Sequence, residues 1–155
     1  MRFSTREDIE APIERVFRAV TDFDGFERQA LRRGAEVTRQ DTMGKPGIGS
    51  EWHLRFKFRG KERELDAAVV KFDAPNGYVV NSRTGGLEGV VTLDLMALSA
   101  QRTRLQVAVD LKPQSLSARL LVQSLKFAKA NLSKRFSNRV LRFAQDIEGK
   151  YRNVG

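Results

Sequence analysis

Residues 51–58, "EWHLRFKF", alternate between apolar and polar side chains without interruption. Successive side chains of a strand point to opposite faces of a sheet, so the apolar set lines one face. That set is Trp52, Leu54, Phe56 and Phe58. The segment therefore predicts a half-buried strand whose apolar row is either part of a filled core or the wall of a pocket.

Six other segments have the alternation or the β-branched content of strands. They are 2–9, 35–41, 63–75, 77–86, 87–98 and 103–113. The last five strands follow one another through turns that are short enough for antiparallel hairpins. Between the first two strands, Pro12 and the apolar spacing from Ile13 to Val20 predict one short helix, and a second ends near Gly34.

The C-terminal region predicts one long amphipathic helix, because from Ser115 to about Arg152 only Gly149 disfavours it. Its main apolar line is Leu121, Leu125, Ala128, Leu132, Phe136, Val140, Phe143 and Ile147. A second line lies more than a quarter-turn away and consists of Leu116, Leu120 and Phe127. This helix is the one element long enough to cover the sheet, so residues 1–155 are expected to form a single α+β domain, a seven-stranded antiparallel sheet wrapped around the helix.

Charge is distributed unevenly along the chain. The net charge is +9, and residues 78–155 hold 13 Lys and Arg against 5 Asp and Glu. The chain has no Cys, and its first residues carry charges where a signal peptide would be apolar. We therefore expect a cytoplasmic protein with a surface that meets anions.

Several stretches resemble the START-like (SRPBCC) superfamily, in particular its polyketide cyclase/dehydrase branch. The resembling stretches are "IEAPIERVFRAVTDFDGFERQ", "GIGSEW", "GGLEGVVTLDL" and "TRLQV". The resemblance implies the helix-grip fold, with a cavity between the sheet and the C-terminal helix that relatives use for lipids, sterols, polyketides or hormones.

On that resemblance, the row Trp52, Leu54, Phe56 and Phe58 is expected to face Leu121, Leu125, Leu132 and Phe136 across the cavity. Asn81 and Arg83 are candidates to hold a polar group of the ligand, provided that they face inward. The inward register near residues 64–72 and 78–84 is open, because both parities there are apolar.

Residues suited to catalysis are few. The only histidine, His53, lies between inward-facing neighbours and is expected to point outward, and a metal site built from His and Cys is excluded by composition. Glu62, Glu64 and Asp66 are expected to pair across strands with Arg55, Lys57 and Arg59. The sequence contains no nucleotide-binding glycine motif. We therefore expect no cofactor and no metal.

The chain has no acidic residue from Leu111 to Gln145, a segment that covers most of the predicted helix and contains eight basic residues. A solvated face, an anionic membrane surface, and RNA or the ribosome are three possible explanations, and few aromatic residues are available to stack on bases. The candidate membrane-facing residues are Leu116, Arg119, Leu120, Lys126, Phe127 and Lys134.

These patterns favour binding or transport of a hydrophobic small molecule or lipid without catalysis, with docking to the inner face of an anionic membrane. One alternative is an enzyme similar to polyketide cyclases and dehydratases, which would need an inward polar group with a shifted pKa. A second alternative is a basic module that binds RNA or the ribosome, with affinity that falls steeply with salt. The ligand and the oligomeric state are open.

Overall fold

The computed structural model describes residues 1–154, and its central feature is a seven-stranded antiparallel sheet. The strands are β1 (Arg2–Ile9), β2 (Glu36–Asp41), β3 (Ser50–Phe58), β4 (Lys61–Asp73), β5 (Gly77–Thr84), β6 (Leu87–Ser99) and β7 (Arg102–Pro113). Their order in the sheet is β1-β7-β6-β5-β4-β3-β2. Each strand from β2 to β6 pairs with the next one in the chain, and β1 forms the edge of the sheet beside β7.

Four helices accompany the sheet. They are α1 (Ile13–Val20), α2 (Phe23–Arg32), α3 (Leu116–Phe127) and α4 (Lys129–Val154). Asp22 caps α2 by accepting a hydrogen bond from the Gly25 amide, and Ser115 caps α3 by accepting one from the Ala118 amide. The predicted α+β architecture, with two short helices after the first strand and a long helix at the end, is confirmed.

The predicted single C-terminal helix is divided at Ala128, which corrects the sequence interpretation. Ala128 has φ −103° and ψ 12°, and its amide bonds to the carbonyl of Leu125, only three residues back. Alanine favours helices, so the break does not come from local propensity. The two helices pack on different elements, α3 on β7 and α4 on β1 and α1, and this tertiary packing accounts for the break.

The main core lies between the concave face of the sheet and the helices α1 and α4. Ile9, Val16, Val20 and Leu105 are completely buried there. The C-terminal part of α4 is bonded to the chain just after β1, since Glu148 accepts a hydrogen bond from the Glu10 amide at 2.9 Å. The space between this half of the sheet and α4 is therefore filled with side chains. A groove of about 710 Å³ lies outside it, between α1, α2 and the C-terminal end of α4, and its lining is rich in charged residues such as Arg15, Asp146 and Lys150.

Candidate functional site

An apolar pocket of about 340 Å³ lies on the concave face of the sheet beneath α2. Its walls come from α2 and from strands β2 to β6. The larger apolar lining residues are Phe23, Phe26, Trp52, Leu54, Leu65 and Val80. The polar lining side chains are Glu27, Ser82 and the phenol of Tyr78. We call this space the α2 pocket.

Small residues on adjacent strands explain why the sheet leaves room there. In the register of the sheet, Trp52 pairs with Ala67, Ala67 with Ser82, and Ser82 with Gly89. These positions lie side by side on one face, so the short side chains of Ala67 and Ser82, which line the pocket, and then Gly89 follow the large indole across the sheet. Ser82 also donates a hydrogen bond to the Gly89 carbonyl at 2.8 Å, which keeps its hydroxyl close to the sheet. The row of small residues therefore creates the hollow that α2 covers.

A set of polar contacts attaches α2 to the sheet at the rim of the α2 pocket. We call it the latch, and it consists of Asp24, Glu27, Arg39, Asp41 and Trp52. The Trp52 indole N–H donates to Glu27 Oε1 at 2.9 Å, and the Phe23 ring packs edge-on against Trp52 with the centroids 5.1 Å apart. Arg39 lies 2.9 Å from Asp24, 3.0 Å from Glu27 and 3.5 Å from Asp41. These contacts fix one helix of only ten residues over the pocket.

The Arg39 guanidinium is largely buried within this latch. Burial opposes its charge, but the neighbouring carboxylates, Glu27 foremost, more than offset that effect and raise the pKa of Arg39. Its NH1 atom makes an ion pair with Glu27 without the alignment of a hydrogen bond. Arg39 is therefore a permanent cation that neutralises the one carboxylate lining the pocket.

Tyr78 closes the base of the α2 pocket. Its hydroxyl donates to the Val20 carbonyl at 2.6 Å, and burial raises the pKa of the phenol well above its ordinary value. Its ring lies 5.9 Å from Phe23 and 6.3 Å from Phe72, centroid to centroid. The hydroxyl therefore has a structural role and stays protonated.

The predicted apolar row lies on the concave face, but only half of it reaches the pocket. Trp52 and Leu54 line the α2 pocket, and Phe56 is half-buried beyond it. Phe58 ends the strand at the rim of the bowl with 46% of its surface exposed. His53, which lies between Trp52 and Leu54 in the strand, points to the outer face of the sheet, where its Nδ1 lies 2.7 Å from Asp66. Arg55 pairs there with Glu62 at 3.2 Å, in the cross-strand arrangement that the alternation predicts.

Asn81 and Arg83 lie on the outer face of the sheet, so the expectation that they face the cavity is wrong. Arg83 pairs with Asp66 and Asn81 with Ala68, whereas Ser82 between them pairs with Ala67 on the pocket side. The sequence could not fix this register, because β4 has a bulge between Val69 and Lys71 that shifts the parity within the strand.

The C-terminal helices do not form the wall of the α2 pocket, which is a second correction. Leu121 and Leu125 lie on the half-buried side of α3, toward β7, and Leu132 is half-buried in α4. Phe136 packs against Phe3 of β1, with centroids 6.3 Å apart. The reason is topological, because α3 follows β7 and α4 lies along β1, at the opposite side of the sheet from β3.

The second apolar line of the C-terminal region is exposed on α3. Leu116, Leu120 and Phe127 are 74%, 64% and 95% exposed. At about 100° per residue they fall within about 40° of one another, and the buried residues Ala118 and Val122 lie on the opposite side of the helix. We call these three exposed residues the α3 stripe.

Basic residues accompany the α3 stripe. Arg119 and Lys126 are exposed on one flank of α3, and Lys134 is exposed on α4. Within residues 1–154, no helix is apolar over enough of its length to cross a membrane. The same residues contain no group of three or more His, Asp or Glu side chains that could hold a metal ion.

Comparisons with known proteins agree with this geometry. A family model described as polyketide cyclase/dehydrase and lipid transport matches residues 1–148. No curated protein sequence matches the chain significantly.

Solved structures of similar fold cover from 74% to 100% of the chain. The Zhui aromatase/cyclase from a Streptomyces species is 13% identical, with a TM-score of 0.67 over 100% of this chain and 98% of that one. A protein from Thermus thermophilus is 14% identical, with a TM-score of 0.66 over 97% and 99% of the two chains. An HSP90 activator from Plasmodium falciparum is 21% identical, with a TM-score of 0.51 over 74% and 76%. At these identities the likeness shows the helix-grip fold.

Proposed function

The chain belongs to the polyketide cyclase/dehydrase and lipid transport family, and we propose that it binds an apolar small molecule or lipid in the α2 pocket without covalent chemistry. The observation that carries the proposal is the apolar lining of a space of about 340 Å³ beneath α2. Ligand pockets of proteins commonly measure about 300–1,000 Å³ and are lined mainly by apolar and aromatic side chains. Each 100 Å² of apolar surface buried by the ligand would contribute about 2.5 kcal/mol.

The polar groups of the lining support binding over catalysis. Glu27 is held by Arg39 and Trp52, and the Tyr78 hydroxyl donates to a backbone carbonyl. A cyclase or dehydratase needs a side chain that exchanges protons with its substrate. Both candidates in the lining are already engaged in fixing α1 and α2, so they are suited to shaping the pocket and orienting a ligand.

The test fills the pocket without removing any contact. Ala67→Leu places a larger side chain in the hollow, and Ala68→Leu places the same side chain on the opposite face of the same strand as a matched control. We expect Ala67→Leu to weaken binding of the neutral dye Nile red by about tenfold or more, with Ala68→Leu close to wild type. Trp52, the single tryptophan, reports binding in the pocket through its own fluorescence.

Thermal unfolding of both variants separates loss of the site from loss of the fold. Equal dye affinity in the folded Ala67→Leu and Ala68→Leu proteins would overturn the pocket assignment. Native mass spectrometry of the protein from its own host then identifies what travels in the pocket. A bound apolar molecule that Ala67→Leu releases would support the proposal.

We also propose that the ligand is collected at an anionic membrane, with the α3 stripe as the contact. Its support is the exposure of three large apolar side chains next to Arg119 and Lys126, in a region without acidic residues. Each basic residue near such a surface contributes about 1 kcal/mol. Vesicles of phosphatidylcholine with and without phosphatidylglycerol test this by sedimentation.

Phe127→Ser should lower sedimentation with the anionic vesicles, because it removes the most exposed member of the stripe. Leu31→Ser on α2, where the leucine is 53% exposed, is the matched control. Salt-sensitive binding to RNA with no binding to vesicles would favour a nucleic-acid module in place of this proposal.

A further inference from the structure

The β3–β4 hairpin ends in an aromatic side chain surrounded by cations. Phe58 is 46% exposed at the end of β3, and the guanidinium carbons of Arg59 and Arg63 lie 5.3 Å and 5.9 Å from its ring centroid. Lys61 pairs with Phe58 across the turn. Glu62, the acidic residue of the turn region, is paired with Arg55 on the outer face at 3.2 Å. We call Phe58, Arg59, Lys61 and Arg63 the hairpin tip.

Arg59 adopts an unfavourable backbone conformation at this tip. Its φ is 54°, and it is the one non-glycine residue with a positive φ within residues 1–154. With Gly60 at φ 75°, the two form the kind of two-residue turn that normally takes Asn, Asp or Gly at its first position. The Arg59 side chain is exposed, and its guanidinium lies over the Phe58 ring. The turn places a guanidinium at its apex against the backbone preference.

The hairpin tip and the α3 stripe stand at the same end of the sheet. β3 ends and β4 begins at this end. Leu87, the first residue of β6, and Pro113, the last residue of β7, pair with each other at the same end. Ser115, the cap of α3, is two residues after Pro113 and lies against Gly86. Three strand spacings separate β7 from β4 in the sheet, or about 15 Å. The two surfaces therefore stand at the end of the sheet toward which the paired residues Leu54 and Leu65 extend the lining of the α2 pocket.

We infer that the hairpin tip is a second membrane contact, which seats the mouth of the bowl on an anionic bilayer together with the α3 stripe. Phe58 enters the headgroup region, and Arg59, Lys61 and Arg63 bind lipid phosphates. Aromatic and basic side chains in alternation suit this interface, because the ring takes the apolar boundary and the cations take the phosphates. This inference rests on the membrane uptake proposed above and adds the site that orients the pocket.

The absence of cysteine allows single-cysteine labelling with the fluorophore NBD. Labels are placed at Lys61→Cys in the hairpin tip, at Gln123→Cys on α3, and at Ala100→Cys in the turn between β6 and β7 at the opposite end of the sheet. With phosphatidylglycerol vesicles, we expect a blue shift and stronger emission at positions 61 and 123, and an unchanged spectrum at 100. A response at 123 alone overturns the hairpin contact and leaves the α3 proposal intact. No response at any position overturns both.

Arg59→Gly tests the hairpin contact with a variant in which weaker vesicle binding cannot be caused by loss of the fold. Glycine suits the positive φ, so the variant should be at least as stable as the wild type while its vesicle affinity falls about fivefold, the effect expected for one basic residue at an anionic surface. Lys45→Gly, in the exposed loop between β2 and β3, removes one cation elsewhere and should leave the affinity nearly unchanged. Equal affinities of the Arg59→Gly and Lys45→Gly proteins would show that only the net charge matters and would overturn the inference.

Discussion

The two halves of the sheet carry similar apolar residues but are covered very differently. Over β1, β7 and β6, the 26-residue helix α4 and the helix α1 bury Ile9 and Leu105 completely. Over β2 to β5, the 10-residue helix α2 leaves Leu54 and Val80 half-buried around an open pocket. The filled half supplies most of the apolar burial, so the other half can leave space for a guest.

Replacing one leucine by alanine in each half should give the largest difference in unfolding free energy between the two halves. Leu105→Ala leaves a void in a packed core and should lower the free energy of unfolding by about 2–5 kcal/mol. Leu54→Ala enlarges a space that is already open and should cost about 1 kcal/mol or less. Urea denaturation of both variants measures the difference. A similar large cost at both positions would mean that side chains fill the α2 pocket in solution.

Removal of the latch should have the next largest effect. Arg39→Met keeps the apolar stem but leaves Asp24, Glu27 and Asp41 without their shared cation, so the free energy of unfolding should fall by about 1–3 kcal/mol. Denaturation followed by Trp52 fluorescence reports this change, because Glu27 also binds the indole.

Arg55→Met on the outer face is the control for the latch. Arg55 pairs with Glu62 and Glu64 in the open, and exposed ion pairs contribute about 0–1 kcal/mol. If the two arginine variants lose the same small amount, the Arg39 ion pairs do not hold α2, which then depends on the Trp52–Glu27 hydrogen bond and on the packing of Phe23 against Trp52 and Tyr78.

The sequence was sufficient to predict the fold but not the half of the sheet that stays open. Alternation in β3 and the apolar stripe of α4 reflect burial directly, and these patterns are visible residue by residue. The α2 pocket depends instead on Ala67 and Ser82 lying beside Trp52 across β3, β4 and β5. That neighbourhood exists only once the register is known, and the bulge after Val69 hides the register.

The division of the C-terminal helix was equally out of reach of the sequence. No glycine or proline marks Ala128, and the local residues favour a helix. The break results from a competition between the packing of α3 on β7 and that of α4 on β1, which are long-range contacts. The line of Leu116, Leu120 and Phe127, by contrast, was predicted from spacing alone, because the periodicity of a helix does not depend on contacts with the rest of the fold.

The smallest expected effect is an opposite response of the two halves to pH. In the open half, the hydrogen bond that His53 donates to the Asp66 carboxylate raises the pKa of His53 above 6.5. Stability from this pair is complete below pH 6.5 and is lost as the pH rises through the folded-state pKa, because the unfolded chain releases the proton first. In the filled half, the hydrogen bond from Arg104 lowers the pKa of Asp8 below 3.8, so that stability is complete above pH 3.8 and is lost as the pH falls further.

Two variants separate these contributions. His53→Gln should remove a small decline in unfolding free energy as the pH rises above 6.5, and Asp8→Asn should flatten the decline as the pH falls below 3.8. Both groups are solvent-accessible, so both effects should shrink as salt is added. Thermal unfolding across this pH range measures them. If His53→Gln leaves the slope above pH 6.5 unchanged, the histidine and Asp66 are independent in solution, and this pair contributes nothing to the stability of the open half.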